Sequence, residues 1–278
     1  MCSIQTLSSI LQAFPSFKGK RRLGRSIMKI SGVSDSVNIQ IATKAGKFLL
    51  PNLKDMISID LFINGYYEKG LIKLLIKKIP ANGIFIDVGA NIGSISIPLA
   101  KMRPDIKIIS VEASPWIFHN LKMNVKLNKL TNISTINYAV FSESGKIVPM
   151  YAPTELFGKG SLKAVYTKNA EMVETISIDD LKKRLNLGLV DFIKVDVEGF
   201  EASVFNGMSQ VIVSDKPKIV FEFSEWAEVT AGFNPCEAQS VILSKNYKIQ
   251  QMDDNFNPIG YPSTSVHKVK NANLFASI

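Results

Sequence analysis

The chain contains few of the residues that build disulfide frameworks or metal centres. It has two cysteines and two histidines among 278 residues. Cys2 and Cys236 are too few for the disulfide framework of a small secreted protein, and neither they nor His119 and His267 have the spacing of metal ligands. We therefore expect free thiols in a reducing compartment and no metal centre built from histidine or cysteine.

Long apolar runs are also absent. Although 46% of the residues are hydrophobic, no uninterrupted stretch reaches the roughly 18 residues that span a bilayer. The apolar residues near the start of the chain are spaced rather than contiguous, so they do not form a secretory signal. We expect a cytoplasmic protein whose length allows a full hydrophobic core.

Acidic residues are missing from residues 1–34. The whole chain has a net charge of +9, and this first segment contributes six basic residues. They are Lys18, Lys20, Arg21, Arg22, Arg25 and Lys29. Because the positive charge is concentrated in one segment, it does not predict a nucleic-acid groove across the rest of the chain.

The same segment has an apolar pattern. Ile4, Leu7, Leu11 and Phe14 recur at spacings of three and four, which places them on one helical face. An amphipathic helix followed by a basic cluster suits peripheral contact of residues 1–30 with the inner membrane surface. Two other interpretations stay open: an organelle-targeting segment, and a helix packed on the domain beside a solvated basic turn.

The most informative stretch begins at Ile84. An apolar run ends in Asp87, a turn with Gly89 and Gly93 follows, and Ile92–Met102 has helical periodicity. Glycine permits a tight turn and lets a ligand approach the main chain. The free N–H groups at a helix N-terminus attract an anionic group. The pattern predicts a strand, a turn and a helix with a ligand between them.

A second apolar run, Ile106–Val111, ends in Glu112, which follows Gly89 by 23 residues. An acid about 20 residues beyond a glycine turn holds the ribose in nucleotide-binding folds. A carboxylate can accept hydrogen bonds from both hydroxyl groups of a ribose. We therefore expect Glu112 to bind the ribose of a nucleoside ligand.

The glycine turn also discriminates between nucleotides. A dinucleotide fingerprint reads G-x-G-x-x-G, whereas this chain has D-x-G-x-N-x-G, with Asn91 in place of the second glycine. Asp87 would repel a pyrophosphate and favours a ligand with positive charge. S-adenosylmethionine has an ammonium, a sulfonium, a ribose and no phosphate. The pattern therefore favours this cofactor, and a nicotinamide-dependent oxidoreductase is the alternative.

An ordered series of motifs resembles the FkbM family of class I S-adenosylmethionine-dependent methyltransferases. The motifs follow the family's order over about residues 62 to 278. They are Gly65-Tyr-Tyr-Glu68, Asp87-Val-Gly-Ala-Asn-Ile-Gly93, Val111-Glu-Ala-Ser-Pro115, Asn124-Val-Lys-Leu-Asn128, Ala139 with Glu143-Ser-Gly145, Ile178-Asp-Asp-Leu181, Lys194-Val-Asp-Val-Glu-Gly-Phe-Glu201 and Val220-Phe-Glu-Phe223.

The resemblance implies a set of cofactor contacts. They are Glu68, Asp87, Gly89, Ala90, Asn91, Gly93, Glu112, Ala113, Ser114 and Ala139. At Ala113-Ser114 the sequence departs from the family, which more often has Glu-Pro after an aromatic residue, so Glu112 must supply the acid. Ala139 is expected near the adenine. Glu68 either reaches the cofactor's ammonium group or a polar substrate, or is a helix acid favoured by the dipole.

Strands and helices alternate from Ile84 onward, which predicts an α/β fold: a Rossmann-like, doubly wound, mostly parallel sheet with an N-terminal helical and hairpin extension. The predicted core strands are Ile84–Val88, Ile106–Val111, Ile133–Asn137, Phe192–Val195 and Ile219–Phe223. The predicted divisions are a basic amphipathic extension (1–34), an N-terminal cap region (35–80) and the methyltransferase domain (81–278), with a hairpin-like insertion at 146–178.

Acids at the ends of the later strands are the candidates for catalysis, because ligands bind at the carboxyl ends of parallel strands. Methylation of an alcohol requires removal of its proton, and Asp196, Glu198 or Glu222 is expected to act as the base or to contact the acceptor. Lys194, Asp196 and Glu198 share one strand face by their period of two.

Other roles for these acids stay open. Asp196 could cap a helix, and Glu198 could pair with Lys194. The three carboxylates could also hold a divalent cation through oxygen ligands.

The resemblance implies O-methylation, often of a sugar hydroxyl or of another complex natural product. The loop Gly158-Lys-Gly-Ser161 in the insertion is expected to contact the acceptor, since loops on rigid scaffolds often carry specificity. A membrane-facing N-terminus would fit a glycolipid or a lipid-linked glycan. A third possibility is a non-catalytic module that retains the fold and binds a membrane or a partner.

Overall fold

The computed structural model describes residues 3–278, so Cys2 lies outside the described residues. The α-helices are α1 (Ile4–Ala13), α2 (Lys20–Ile30), α3 (Met56–Asn64), α4 (Lys69–Lys78), α5 (Ser96–Met102), α6 (Pro115–Leu127), α7 (Ile178–Arg184), α8 (Glu201–Asn206), α9 (Val211–Ser214), α10 (Glu225–Ala231) and α11 (Glu237–Leu243). The strands are β1 (Val37–Ala42), β2 (Lys47–Asn52), β3 (Ile84–Val88), β4 (Lys107–Glu112), β5 (Ile133–Asn137), β6 (Ala139–Val140), β7 (Ile147–Met150), β8 (Glu171–Ile176), β9 (Val190–Val195), β10 (Lys218–Ser224), β11 (Lys248–Met252), β12 (Pro258–Ser263) and β13 (Asn271–Ser277).

An eight-stranded sheet forms the centre of the fold, with the order β12-β11-β13-β10-β9-β3-β4-β5. The five strands from β10 to β5 run parallel to one another, and they are the five that the sequence predicts. Three antiparallel strands extend the sheet beyond β10. This mostly parallel sheet with its helices confirms the predicted α/β fold.

Helices cover both faces of this sheet. Alternate side chains of a strand point to opposite faces. Phe85 and Phe192 therefore pack on one side with residues of α4 and α5, while Ile86 and Ile193 pack on the other with residues of α8 and α11. The four side chains are fully buried. Double coverage explains why the parallel strands are nearly continuous apolar runs.

The elements α1, α2, β1, β2 and α3 form a second layer beside α6, which we call the N-terminal layer. The strands β1 and β2 pair antiparallel as the predicted hairpin. The side chain of Asn124, on α6, accepts a hydrogen bond from the Leu49 main-chain N–H at 2.6 Å and donates one to the Leu49 carbonyl at 3.3 Å. Phe48 and Phe62 are fully buried in a cluster that also contains Phe157 of the insertion. These contacts join the N-terminal layer to the central domain.

Two helices differ from the sequence prediction near the N-terminus. The basic cluster, expected as a solvated turn in one interpretation, forms the helix α2, with Lys20, Gly24 and Met28 on its buried side. The helix α3 was not predicted, because nearly all of its residues are buried and its apolar positions show no amphipathic period. Asp55 caps α3 by accepting a hydrogen bond from the Ile57 N–H at 2.8 Å.

The helix predicted to begin at Ile92 instead begins at Ser96. The preceding residues form a turn in which Gly89, Asn91 and Gly93 have φ angles of 75°, 51° and 87°. Left-handed residues cannot continue a right-handed helix, so the turn extends farther than the periodicity indicates.

The insertion at 146–178 contains the predicted hairpin, since β7 pairs antiparallel with β8. The short strand β6 pairs parallel with β8 and completes a three-stranded sheet. Among residues 3–278, no helix has the length and apolar character needed to cross a membrane.

Candidate active site

A cavity of about 410 Å³ opens at the carboxyl ends of the parallel strands. Its walls come from the turn after β3, the end of β4, the loop after β9 and the end of β10. A 3-10 turn of the insertion, Phe157–Lys159, completes it. The carboxyl ends of parallel strands are the usual ligand position in such sheets.

The glycine turn packs closely against the loop that follows β9. A Cβ added at Gly89 would lie 1.9 Å from the main-chain oxygen of Asp196, and φ at Gly89 is +75°. The N–H groups of Gly89 and Ala90 both donate to the Val111 carbonyl at 3.0 Å. Only glycine fits this position, and its bare main chain lines the cavity.

Glu112 is held by the main chain on both sides. Its Oε2 accepts a hydrogen bond from the Asn91 N–H, and its Oε1 accepts one from the Ser114 N–H, both at 2.9 Å. Burial raises the pKa of Glu112 to about 7, and the two amides offset only part of this effect. Each carboxylate oxygen has a second lone pair, so the fixed side chain can still accept from a diol in the cavity.

Asp87 is fully buried beside a lysine that the sequence analysis did not select. The Ser96 hydroxyl donates to Asp87 Oδ2 at 2.5 Å, and Asp87 Oδ1 has no hydrogen bond to the described residues but lies 3.7 Å from Lys194 Nζ. Lys194 Nζ is also 3.1 Å from Asp196 Oδ2. Burial raises the pKa of Asp87, although Lys194 and Ser96 oppose the shift. Lys194 therefore places a positive charge of the protein beside Asp87.

Acidic side chains from three separate elements meet in the cavity: Glu68, Asp196, Glu198 and Glu222. Glu68 is half-buried at the cavity, and lost solvation raises its pKa to about 8. Glu222 is exposed to the cavity. The charge of Asp196, together with desolvation, raises the pKa of Glu222 to about 7. At neutral pH the carboxylates therefore do not all carry a full negative charge.

Glu198 pairs with Lys159 and not with Lys194. Lys159 Nζ donates to Glu198 Oε1 at 2.8 Å. The predicted shared strand face ends early, because β9 stops at Val195 and φ at Glu198 is +49°. The period of two therefore does not reach Glu198.

Further hydrogen bonds hold the insertion over the cavity. Asn91 Nδ2 donates to the Phe157 carbonyl at 3.2 Å, and the Gly158 N–H donates to Asp55 Oδ2 at 2.9 Å. Ser161 Oγ donates to the Glu198 carbonyl at 3.2 Å. These bonds join the loop to the N-terminal layer, the glycine turn and the loop that follows β9.

Of the residues proposed from the sequence, all except Gly93 and Ser114 line this cavity. Gly93 instead faces Ile97 and Leu121, where an added Cβ would meet side-chain atoms at 2.8 and 2.9 Å. Ser114 is buried behind Glu112, and its hydroxyl donates to Glu171 at 3.2 Å. Both residues support the turn and the strand end rather than facing the cavity.

The sequence analysis did not select Tyr67 and Lys194, which line the cavity, whereas Lys159 lies there within the loop Gly158-Lys-Gly-Ser161 that was expected to contact the acceptor. Tyr67 adjoins Glu68 in a quoted motif, and Lys194 precedes a strand end, so both carried a usable signal. Lys159 reaches the site only through the fold of the insertion. Within residues 3–278, no group of three or more Asp, Glu, His or Cys side chains is arranged to hold a metal ion. The arrangement of Asp196, Glu198 and Glu222 is therefore not that of a divalent-cation site.

The parallel sheet, the glycine turn and the acid at the next strand end together define a nucleoside-binding α/β enzyme. The sequence matches the methyltransferase FkbM domain over residues 87–257, which is more than half of the chain. The chain belongs to the FkbM methyltransferase family. It is an S-adenosylmethionine-dependent methyltransferase, as the family resemblance of its motifs implies.

Two curated relatives and one solved structure show the extent of the similarity. Hexuronic acid methyltransferase AglP of Haloferax volcanii is 28% identical over 175 residues, which cover 63% of this chain and 67% of that protein. Methyltransferase sdnD of Sordaria araneosa is 27% identical over 166 residues, covering 49% and 64%. The structure of methyltransferase FkbM from Methylobacillus flagellatus KT is 15% identical with a TM-score of 0.45, covering 78% and 52%. The chain spans about two thirds of the length of these curated relatives.

Proposed function

We propose that this chain methylates a hydroxyl group of a sugar in a glycan, a glycolipid or a related natural product. The observation that carries the proposal is the single cavity that contains both Glu112, suited to a ribose diol, and the acids Asp196, Glu198 and Glu222. A nucleoside cofactor and an alcohol acceptor can thus meet in one enclosed space.

The residues of the cavity fit S-adenosylmethionine. The bare main chain at Gly89 lines the cavity, and Asp87 has a carboxylate oxygen without a hydrogen bond to the described residues. We assign the ribose to Glu112, the surroundings of the adenine to Ala113 and Ala139, and the amino-acid part to Glu68, Asp87 and the turn Gly89–Asn91. When bound, the cofactor supplies the electrophilic methyl group.

A carboxylate of the chain removes the acceptor proton. As the oxygen–carbon bond forms and the sulfur–carbon bond breaks, the hydroxyl proton passes to a base. Glu222 is our first candidate for this base, because its pKa of about 7 matches operation near neutral pH. Asp196 and Glu198 contact the acceptor or share the transferred proton with Glu222.

A sugar is the acceptor class that the cavity and one of the relatives favour. Carboxylates and lysines are hydrogen-bonding partners for several hydroxyls at once, and the relative AglP is named for hexuronic acid methylation. The nicotinamide alternative lacks support, since Asn91 stands where a dinucleotide turn needs glycine.

The test is transfer of labelled methyl groups from S-adenosylmethionine into a panel of glycans, followed by identification of the methylated position. We expect a methyl ether on a sugar, and Asp196→Asn to lower the rate by about 100-fold or more while cofactor affinity stays nearly the same. Label found only on nitrogen or carbon would refute the assignment of a sugar hydroxyl, and unchanged turnover by the variant would remove Asp196 from the role of base.

We also propose that the N-terminal surface contacts an anionic membrane. The outer side of α2 and the segment before it present exposed apolar side chains beside exposed bases, and no acid precedes Asp35. The apolar residues are Phe14, Phe17, Leu23 and Ile30, and the bases are Lys18, Arg22, Arg25 and Lys29. Each base near such a surface contributes about 1 kcal/mol.

Co-sedimentation with phosphatidylglycerol-containing vesicles tests this contact. The combined variant Arg22→Glu, Arg25→Glu and Lys29→Glu should lose binding, whereas the control Lys245→Glu and Lys248→Glu should retain it. Equal sedimentation of the wild type with purely zwitterionic vesicles would contradict an electrostatic contact.

A further inference from the structure

A shallow groove continues from the cavity to the surface of the molecule. It shares Ser161, Tyr166 and Glu198 with the cavity. Beyond them it is lined by Lys163, Val165 and residues of α10, including Trp226 and Thr230. Its own volume is only about 10 Å³, so a part of an acceptor that projects from the reacting sugar would lie across this surface rather than inside it.

Two aromatic side chains of the groove are exposed. Trp226 is 58% exposed and Tyr166 is 48% exposed. They stand beside hydrogen-bonding groups of Glu198, Lys163 and Ser161. A pyranose ring has an apolar C–H face and a rim of hydroxyls, so it can place its face on an aromatic ring and its rim on polar groups.

The position of Trp226 relative to the catalytic acids is fixed by close packing. Trp226 follows Glu225, whose N–H donates to the Lys270 carbonyl at 2.9 Å. A Cβ added at Gly199 would lie 2.4 Å from the Ala227 carbonyl oxygen, so the first turn of α10 presses on the loop that contains Glu198. This packing fixes the main chain at Trp226 relative to Glu198, and the Trp226 side chain projects from that support.

We propose that this groove binds a second sugar ring of the acceptor, with Trp226 and Tyr166 as the stacking surface. The acceptor is then an oligosaccharide or glycoconjugate of at least two rings. The inference rests on the proposed function. It adds a minimum size for the acceptor and names Trp226 and Tyr166 as the residues that recognise its second ring.

The kinetic test compares disaccharides with their own monosaccharides as acceptors, using cellobiose with glucose and chitobiose with N-acetylglucosamine. For the disaccharides, Trp226→Ala should raise KM about tenfold with kcat changed less than about threefold. Trp226→Phe should restore most of the affinity. The matched control is Tyr261→Ala, which removes a 91% exposed aromatic side chain on the distant strand β12.

A binding measurement separates this inference from the proposed function. Titration of either disaccharide, with S-adenosylhomocysteine present, should change the tryptophan fluorescence of the wild type and not of Trp226→Phe. Binding without methyl transfer to any sugar would refute the proposed function and support the groove. Transfer to sugars with an unchanged KM in Trp226→Ala, or an equal KM rise for mono- and disaccharides, would overturn the groove assignment.

Discussion

At the scale of single residues, buried charge governs the chemistry of the site. Lys194 is 6% exposed and lies between Asp87 and Asp196. Burial alone would lower its pKa, but the surrounding carboxylates raise it above the usual value. Lys194 therefore stays an ammonium group and neutralises part of the acid cluster, which leaves Glu222 free to gain and lose a proton near neutral pH.

The first prediction concerns Glu222 as the base. Because its pKa is raised to about 7, Glu222 is protonated in acid and becomes an acceptor of protons as the pH rises. The wild-type rate should therefore increase between about pH 6 and 8, and Glu222→Gln should lower kcat about 100-fold and remove this rise. Initial rates of labelled methyl transfer across pH provide the measurement.

The control for this experiment is Glu174→Gln, which changes an exposed acid on β8. It should keep both the rate and the pH profile of the wild type. An unaltered rising limb in Glu222→Gln would assign the base to another group.

At the scale of elements, the turn after β3 is the feature that most directly shapes the cavity. Gly89 needs both a positive φ and the absence of a Cβ, since its neighbour is the main chain of Asp196. Gly145 has a similar φ of +80° but open space around it. A comparison of alanine substitutions at the two glycines therefore distinguishes the cost of conformational strain from the cost of a steric clash.

We predict that Gly145→Ala costs about 1 kcal/mol of the free energy of unfolding, the usual cost of a left-handed alanine. Gly89→Ala should cost more and should also weaken cofactor binding at least about tenfold, because the turn must move away from Asp196. Urea unfolding and calorimetry measure the two quantities. Equal effects of the two substitutions would show that the close contact at Gly89 has no special role.

The sequence predicts the parallel strands well because their apolar runs end in acids or turns, and β3 and β5 match the predicted bounds. It misses the start of α5, since periodicity does not reveal that Asn91 and Gly93 are left-handed. The acids at the strand ends reach the cavity as expected. The loop that contains Lys159 was expected near the acceptor, but the ion pair of Lys159 with Glu198 could not be predicted, because the two meet only through the folding of the insertion over the site.

At the scale of the whole molecule, the N-terminal layer is part of the site. Asp55, Met56 and Ile57 line the cavity, and Asp55 holds the insertion through Gly158. Phe157 packs into the same apolar cluster as the N-terminal hairpin. The division of the chain at residues 34 and 80 stays a prediction, but the cavity requires contributions from both sides of residue 80.

The many acids with raised pKa values predict a pH dependence of stability for the whole fold. Burial raises the pKa of Glu201 and of Glu68 to about 8, and that of Glu112 to about 7. An unfolded glutamate has a pKa of about 4.3. Between these values the folded chain binds protons that the unfolded chain releases, so the free energy of unfolding falls as the pH rises.

We therefore expect a melting temperature at about pH 8.5 that is about 3 °C or more below that at about pH 5.5. Glu201→Gln should reduce this difference, because its amide oxygen can still accept from the Val197 N–H without carrying charge. Differential scanning calorimetry of this variant and of Glu174→Gln makes the comparison. A melting temperature that is constant or rises over this range would contradict the assigned pKa shifts.

The central claim is that the cavity beside Gly89 binds S-adenosylmethionine through the fixed carboxylate of Glu112. Calorimetric titration of the folded chain with this cofactor tests it most directly. We predict saturable binding of one molecule per chain, weakened at least about tenfold in Glu112→Gln, whose amide cannot accept from both the Asn91 and Ser114 N–H groups. Absence of saturable binding by the folded wild type, or equal affinity of the variant, would contradict the claim.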